Sequence, residues 1–192
     1  MNGLSRKLKY FITPFKHESN YSWIWWSVKA LPQIIDKFPT VKLLFVGTGP
    51  HQKKIEKLIK QYGVASSVRF IGRIPHEQLP RYFALGDIFA MPSRSRLFGL
   101  EVEGLGIVYL EASACGLPVI AGNSGGAPDA VLPGETGVVV DGTSERAIAD
   151  AAISLLSDIS KSRDMGRAGR EWVVGNWRWE IWSKTFNNLF NQ

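Results

Sequence analysis

Two rhythms of apolar residues run along this chain. From residue 41 onward, short unbroken apolar runs alternate with longer stretches whose apolar residues recur every three or four positions. The runs VKLLFVG (41–47), VRFIG (68–72), DIFAMPS (87–93), LPVIAG (117–122) and GVVVD (137–141) read as strands. The stretches between them read as helices. TGPHQKKIEKLIKQYG has Pro50 in its first turn and Gly63 after its end; PHEQLPRYFALG (75–86) is shorter; a third helix opens near Gly106, and SERAIADAAISLLSD (144–158) is amphipathic. Strands without polar alternation are buried on both faces, which predicts a parallel sheet covered by helices on either side. The expected fold class is α/β, a Rossmann-like parallel sheet flanked by helices. Ligands of such sheets sit beyond the carboxyl ends of the strands, so the loops after Val46, Ile71, Met91, Ile120 and Val140 are the ones that matter.

The first forty residues are less regular. Residues 23–38 fit a helix that Pro32 should kink or restart, and LKYFI (8–12) fits one more strand at the start of the sheet. We expect three parts: a basic, aromatic N-terminal arm over 1–26, the α/β domain over 27–175, and a final helix over 176–192. Trp23, Trp25 and Trp26 have two readings, as core residues or as an interfacial anchor beside basic side chains.

Composition narrows the classes. A chain of 192 residues with 45% hydrophobic content suits one domain, or one domain with an arm. The single cysteine, Cys115, cannot form an internal disulfide, and no paired Cys/His spacing suggests zinc. No apolar run approaches the roughly 18 residues of a membrane span, and no secretory leader pattern is visible. The expected location is cytoplasmic. The net charge of +6 is uneven: residues 1–62 hold 11 Lys/Arg against 3 Asp/Glu, and the rest holds 12 against 14. A basic end with tryptophans suits peripheral attachment at the inner membrane surface, or simply a solvated face. Nucleic acid is not an expected partner.

The candidate chemistry centres on EGLGIVYLE (103–111), which sets Glu103 and Glu111 eight positions apart. At about 3.6 residues per turn, one unbroken helix would not place both carboxylates neatly on one face. Gly104 and Gly106 suggest that the helix starts at about Gly106, leaving Glu103 in the loop before it. The free N–H groups of Gly106, Ile107 and Val108 would then attract an anion, above all a phosphate. An acid on each side of that anion site would accept hydrogen bonds from hydroxyls. A sugar nucleotide, with phosphate in the middle and hydroxyls at both ends, has that description.

The wider run MPSRSRLFGLEVEGLGIVYLEASACGLPVIAGNSGGAPDAV (91–131) resembles the donor-binding half of the family 4 glycosyltransferases of GT-B architecture. Pro92-Ser93, the paired glutamates, LEASACGLPVIA and Gly125-Gly126 carry the resemblance, with GRIPHEQLPRYF and DIFAMPS in the same order. Within that family the run is most similar to the actinobacterial GDP-mannose-dependent enzymes that extend phosphatidylinositol mannosides. The resemblance implies retaining hexosyl transfer, with no resident metal or other cofactor, from a nucleotide sugar to a glycolipid acceptor at the membrane surface. Glu103 matches the catalytic glutamate that contacts the donor hexose, and Glu111 the one that binds the ribose. Gly106, Ile107 and Val108 match the backbone at the diphosphate. Gly72, Arg73 and Ile74 fall where the base sits, Gly47 and Gly49 where a Gly-rich turn nears the nucleotide, and Ser93 beside the sugar-phosphate cleft. Arg94 and Arg96 read either as solvated charges or as phosphate partners. Guanine and uracil are not distinguished by these residues.

The chain also departs from the pattern. The family's phosphate loop, G-R-L-x-x-x-K-G, would precede the first helix, where this sequence reads TPFKHESNYSWIWW, with Lys16 as a partial substitute. The family's N-terminal domain, which holds the acceptor and a catalytic histidine, has no counterpart in this sequence. A separate N-terminal half is therefore an implied partner. The competing expectations are a catalytically inactive nucleotide-binding remnant and a module that binds a membrane or another protein through its basic end. NWRWEIWSKTFNNLF resembles the family's closing segment, which would leave Trp177, Trp179 and Trp182 partly exposed.

Overall fold

The computed structural model describes residues 9–15, 22–95 and 97–190. Lys16 and Arg96 lie outside them. Six parallel strands make one sheet: β1 (Tyr10–Phe15), β2 (Lys42–Gly47), β3 (Val68–Gly72), β4 (Ile88–Met91), β5 (Val119–Gly122) and β6 (Gly137–Val140), in the order β3-β2-β1-β4-β5-β6. Seven helices surround it: α1 (Ser22–Lys37), α2 (Gln52–Gln61), α3 (Leu79–Phe83), α4 (Ile107–Ala114), α5 (Glu145–Ser157), α6 (Ile159–Asn176) and α7 (Trp179–Phe190). The α/β, Rossmann-like parallel sheet read from the apolar runs is the observed fold. All four residues of β4 and of β5 are buried, as strands sandwiched between two helical layers must be. No helix among the described residues is long and apolar enough to cross a membrane.

The first strand corrects the expected division of the chain. β1 sits inside the sheet, paired with β2 from Tyr10↔Lys42 to Phe15↔Gly47 and with β4 at Phe11↔Ile88 and Ile12↔Phe89. Asp87 ties its start: the Tyr10 N–H donates to Asp87 Oδ2 at 2.7 Å, and the Asp87 N–H donates to the Tyr10 carbonyl at 2.9 Å. The described part of 1–26 is therefore built into the domain, and the expected boundary at residue 26 falls inside α1. Pro14, which has no N–H for a ladder, weakens the strand signal at the end of β1 in the sequence.

Helix α1 runs through Pro32 without interruption. Its buried face, Trp23, Ile24, Val28, Leu31 and Ile34, lies on both sides of the proline, so packing holds together what the missing N–H would loosen. The Trp23 indole N–H donates to the Pro14 carbonyl at 3.0 Å, which makes Trp23 a core residue that joins α1 to β1. Trp26 is half-buried with Lys29 Nζ 4.6 Å from its ring centroid, and Trp25 is exposed. On one face of the sheet α1 packs against α5; elsewhere α4 packs against α6 and α3.

The sheet order reverses direction between β1 and β4. Chains leaving the carboxyl ends of these two strands turn to opposite sides, and a crevice opens between them. A chain shortened through residue 21 loses β1 and leaves β2 and β4 without their shared neighbour. It should fail to show a cooperative thermal transition by circular dichroism. In the full chain, Ile24→Ala should cost about 2–5 kcal/mol in denaturant unfolding, because the removed side chain is wholly buried.

Candidate functional site

A cleft of about 270 Å³ occupies the reversal point of the sheet. Ile12 and Pro14 from the end of β1 form its floor, with Gly47 from the end of β2. Arg73 and Ile74, just past β3, make one wall, and Val108 and Glu111 from α4 make the other. His76 stands at the same wall as Arg73.

Gly106 caps α4 with φ 72° and ψ 62°, a left-handed conformation that residues with a Cβ adopt at a cost. A Cβ at this position would also collide with the ring of Tyr109. The turn sends the chain into the helix abruptly. Only the Tyr109 N–H finds a backbone acceptor in this first turn, the Gly106 carbonyl at 2.8 Å. Among the described residues no acceptor takes the Ile107 and Val108 N–H groups. Unpaired N–H groups at a helix start carry partial positive charge and bind anions.

Glu103 stands before that helix, held by the turn after β5. Its N–H donates to Ser124 Oγ at 3.2 Å, and its carbonyl accepts from the Gly126 N–H at 3.0 Å. Ser124 Oγ lies 3.2 Å from Ser95 Oγ, which joins the loop after β4 to the same cluster. Gly125 packs so close that a Cβ would overlap the Glu103 carbonyl oxygen. The sequence marks Gly125-Gly126 as a turn; the structure shows that this turn backs the Glu103 loop. Glu111, half-buried on the second turn of α4, faces the cleft eight residues further on.

The other expected residues separate. Gly47, Arg73 and Ile74 come to the cleft with Val108 and Glu111. Gly72 ends β3 immediately before them, and no atom lies within 4 Å of where its Cβ would be. Gly49 is not among the residues lining the cleft: its carbonyl accepts from the Gln52 N–H at 3.2 Å and opens α2. Ser93 is a correction. Its side chain is wholly buried, and its hydroxyl lies 3.1 Å from the Tyr109 hydroxyl rather than in the cleft. The Tyr109 hydroxyl donates to the Met91 carbonyl at 2.6 Å, so Ser93 donates to Tyr109. Burial pushes the Tyr109 phenol well above its ordinary range, outweighing the Ser93 hydrogen bond, and keeps it a donor.

Two residues were missed in the sequence. Tyr109 stands edge-on to Phe89, with ring centroids 6.0 Å apart, and locks the first turn of α4 to β4. Its place in IVYLE looks like any core aromatic. His76 Nε2 lies 3.9 Å from Glu111 Oε1, across a gap that no sequence spacing relates. Arg94, half-buried in the loop after β4, has a buried Nε with no hydrogen-bond partner.

The family model for Glycosyl transferases group 1 matches residues 16–172. The chain belongs to that family. It is 51% identical over 152 residues to the GDP-mannose-dependent alpha-(1-6)-phosphatidylinositol monomannoside mannosyltransferase of Mycolicibacterium smegmatis, covering 79% of this chain and 40% of that one. A Corynebacterium glutamicum relative, the GDP-mannose-dependent monoacylated alpha-(1-6)-phosphatidylinositol monomannoside mannosyltransferase, is 46% identical, covering 84% of this chain and 42% of the other. The chain thus spans about two fifths of the length of these relatives. Among solved structures, the C-terminal domain of the group 1 glycosyl transferase LpcC from Francisella tularensis superposes with a TM-score of 0.76 at 25% identity, covering 91% of this chain and 90% of that one. Anabaena HepE in complex with UDP and glucose shares the fold, with a TM-score of 0.82 at 22% identity over 96% of this chain and 49% of that one.

Tyr109→Phe would strand the Ser93 hydroxyl in the interior and leave the Met91 carbonyl with the Ser93 N–H as its remaining donor. It should lower stability by about 1–3 kcal/mol in denaturant unfolding. Gly106→Ala should cost at least about 1–2 kcal/mol for the left-handed backbone alone.

Proposed function

We propose that this chain is the donor-binding domain of a retaining hexosyltransferase that draws on a nucleoside-diphosphate sugar. The observation that carries the reading is the unpaired start of α4 at the sheet's reversal point, with Glu103 before it and Glu111 after it. In this reading the Ile107 and Val108 N–H groups, with Gly106, hold the diphosphate. Glu111 accepts the ribose hydroxyls, and Glu103 accepts hydroxyls of the transferred hexose. The base lies against Gly72, Arg73 and Ile74, and Gly47 lets the nucleotide approach the end of β2. The relatives' names favour GDP-mannose as donor and a phosphatidylinositol mannoside as acceptor.

The chemistry follows from where charge develops. The bond from the sugar's anomeric carbon to the diphosphate breaks, and a new bond forms to an acceptor hydroxyl on the same face. The departing diphosphate gains negative charge. Fixed N–H dipoles already aimed at it stabilise that charge without reorganising. Arg73, which lines the cleft, adds a cation to the same site.

The domain supplies one wall of such a site, and an N-terminal half would supply the acceptor and the other wall. Two apolar surfaces support that arrangement. Leu97, Phe98 and Leu100, in the loop that leads to Glu103, are exposed, and Leu97 and Phe98 hold left-handed backbones. The outer face of α7 exposes Trp179, Phe186, Leu189 and Phe190. Apolar surface of this extent is usual where another body docks. Residues 1–26 add basic charge that suits peripheral contact with an anionic membrane.

Calorimetric titration should show GDP binding to this chain, weakened by about 1–3 kcal/mol in Glu111→Ala; unchanged affinity would remove Glu111 from the site. Mannosyl transfer from GDP-mannose to a phosphatidylinositol mannoside should appear only when the N-terminal half of the M. smegmatis relative is added. Glu103→Ala should abolish that transfer while GDP binding persists. Absence of transfer in every mixture, with GDP bound, would leave a nucleotide-binding domain without catalytic partner and refute the enzymatic reading.

A further inference from the structure

His76 has no part in the roles assigned above, yet it opens the turn that follows Pro75 and reaches the cleft. Its Nε2 lies 3.9 Å from Glu111 Oε1, with side-chain exposures of 77% for the histidine and 32% for the glutamate. The charged groups around it are few. Glu111 faces it from α4, Arg73 lines the same wall from the loop after β3, and Glu77 is its neighbour on the turn. From α3 the cleft receives only the apolar Leu79 and Phe83.

We infer that His76 is a further donor-site residue, which steadies the Glu111 carboxylate at the nucleoside end of the cleft and, when protonated, sets a cation beside a bound nucleoside diphosphate. The inference rests on the proposal that this cleft takes such a ligand. An imidazole ordinarily exchanges its proton near neutral pH, at about 6.5. Its charged form attracts the Glu111 carboxylate 3.9 Å away. A bound diphosphate brings further negative charge and so favours the imidazolium. By linkage the reverse holds: protonation of His76 favours the ligand. Donor affinity is therefore expected to rise as pH falls from about 8 to about 6. The positive charge of Arg73 opposes a charged imidazole, and the negative charge of Glu77 favours one.

The measurement is calorimetric titration of the full chain with GDP-mannose, whose diphosphate has no proton to exchange between about pH 8 and about pH 6. Wild-type affinity should rise about two- to fivefold over that interval, the worth of an exposed ion pair. His76→Gln keeps a polar side chain without the titration. It should bind across the whole interval with about the wild-type affinity measured at the alkaline end. A slope of the same size in His76→Gln and wild type would overturn the role of His76 while leaving the donor site standing. Failure of the wild-type chain to bind either GDP-mannose or UDP-glucose would overturn the donor site, and His76's role with it.

Discussion

The structure depends on a short row of backbone N–H groups that the protein declines to pair. Most helices in a compact domain end with their free amides satisfied by a side chain or a neighbouring loop. At α4 no side chain caps the start, and the left-handed Gly106 carries the preceding chain away from the amides instead of across them. The helix start lies next to the crevice at the sheet's reversal point, which Val108 and Glu111 line. The partial positive charge of the helix start is thus fixed in direction before any ligand arrives.

Holding such a start in place requires rigidity behind it. Tyr109 supplies this by packing on Phe89 and donating to the end of β4, while Ser93 closes the hydrogen-bond chain. The loop in front is held separately, by Ser124, Gly125 and Gly126 from the turn after β5. Glu103 is therefore positioned by β5 and Glu111 by α4. The two carboxylates belong to different supports, and a rigid-body shift of either would change the distance between them. His76, on the turn after β3, stands 3.9 Å from Glu111 Oε1 and comes from a third part of the fold.

The same architecture leaves surfaces that a single domain would not ordinarily expose. The loop that leads to Glu103 exposes Leu97, Phe98 and Leu100, and α7 exposes Trp179, Phe186, Leu189 and Phe190. An apolar groove lined by Ile107, Leu110, Trp177 and Trp182 runs from α4 to the break between α6 and α7. Apolar surface of this extent is usual where another body docks.

The sequence by itself determined the sheet's later strands and the helices between them, because burial on both faces writes unbroken apolar runs and helix faces write a three-to-four residue period. It also determined the opening of α4 near Gly106, since glycine at that point has a local backbone reason to be there. Tertiary structure alone decided the rest. It drew Tyr10–Phe15 into the middle of the sheet, where pairing with β2 and β4 outweighs the poor strand character of Pro14. It turned the Ser93 hydroxyl inward to Tyr109 and set His76 against Glu111. Those outcomes turn on which strands are neighbours and which loops meet above them. Local propensity carries no record of contacts between residues thirty or eighty positions apart.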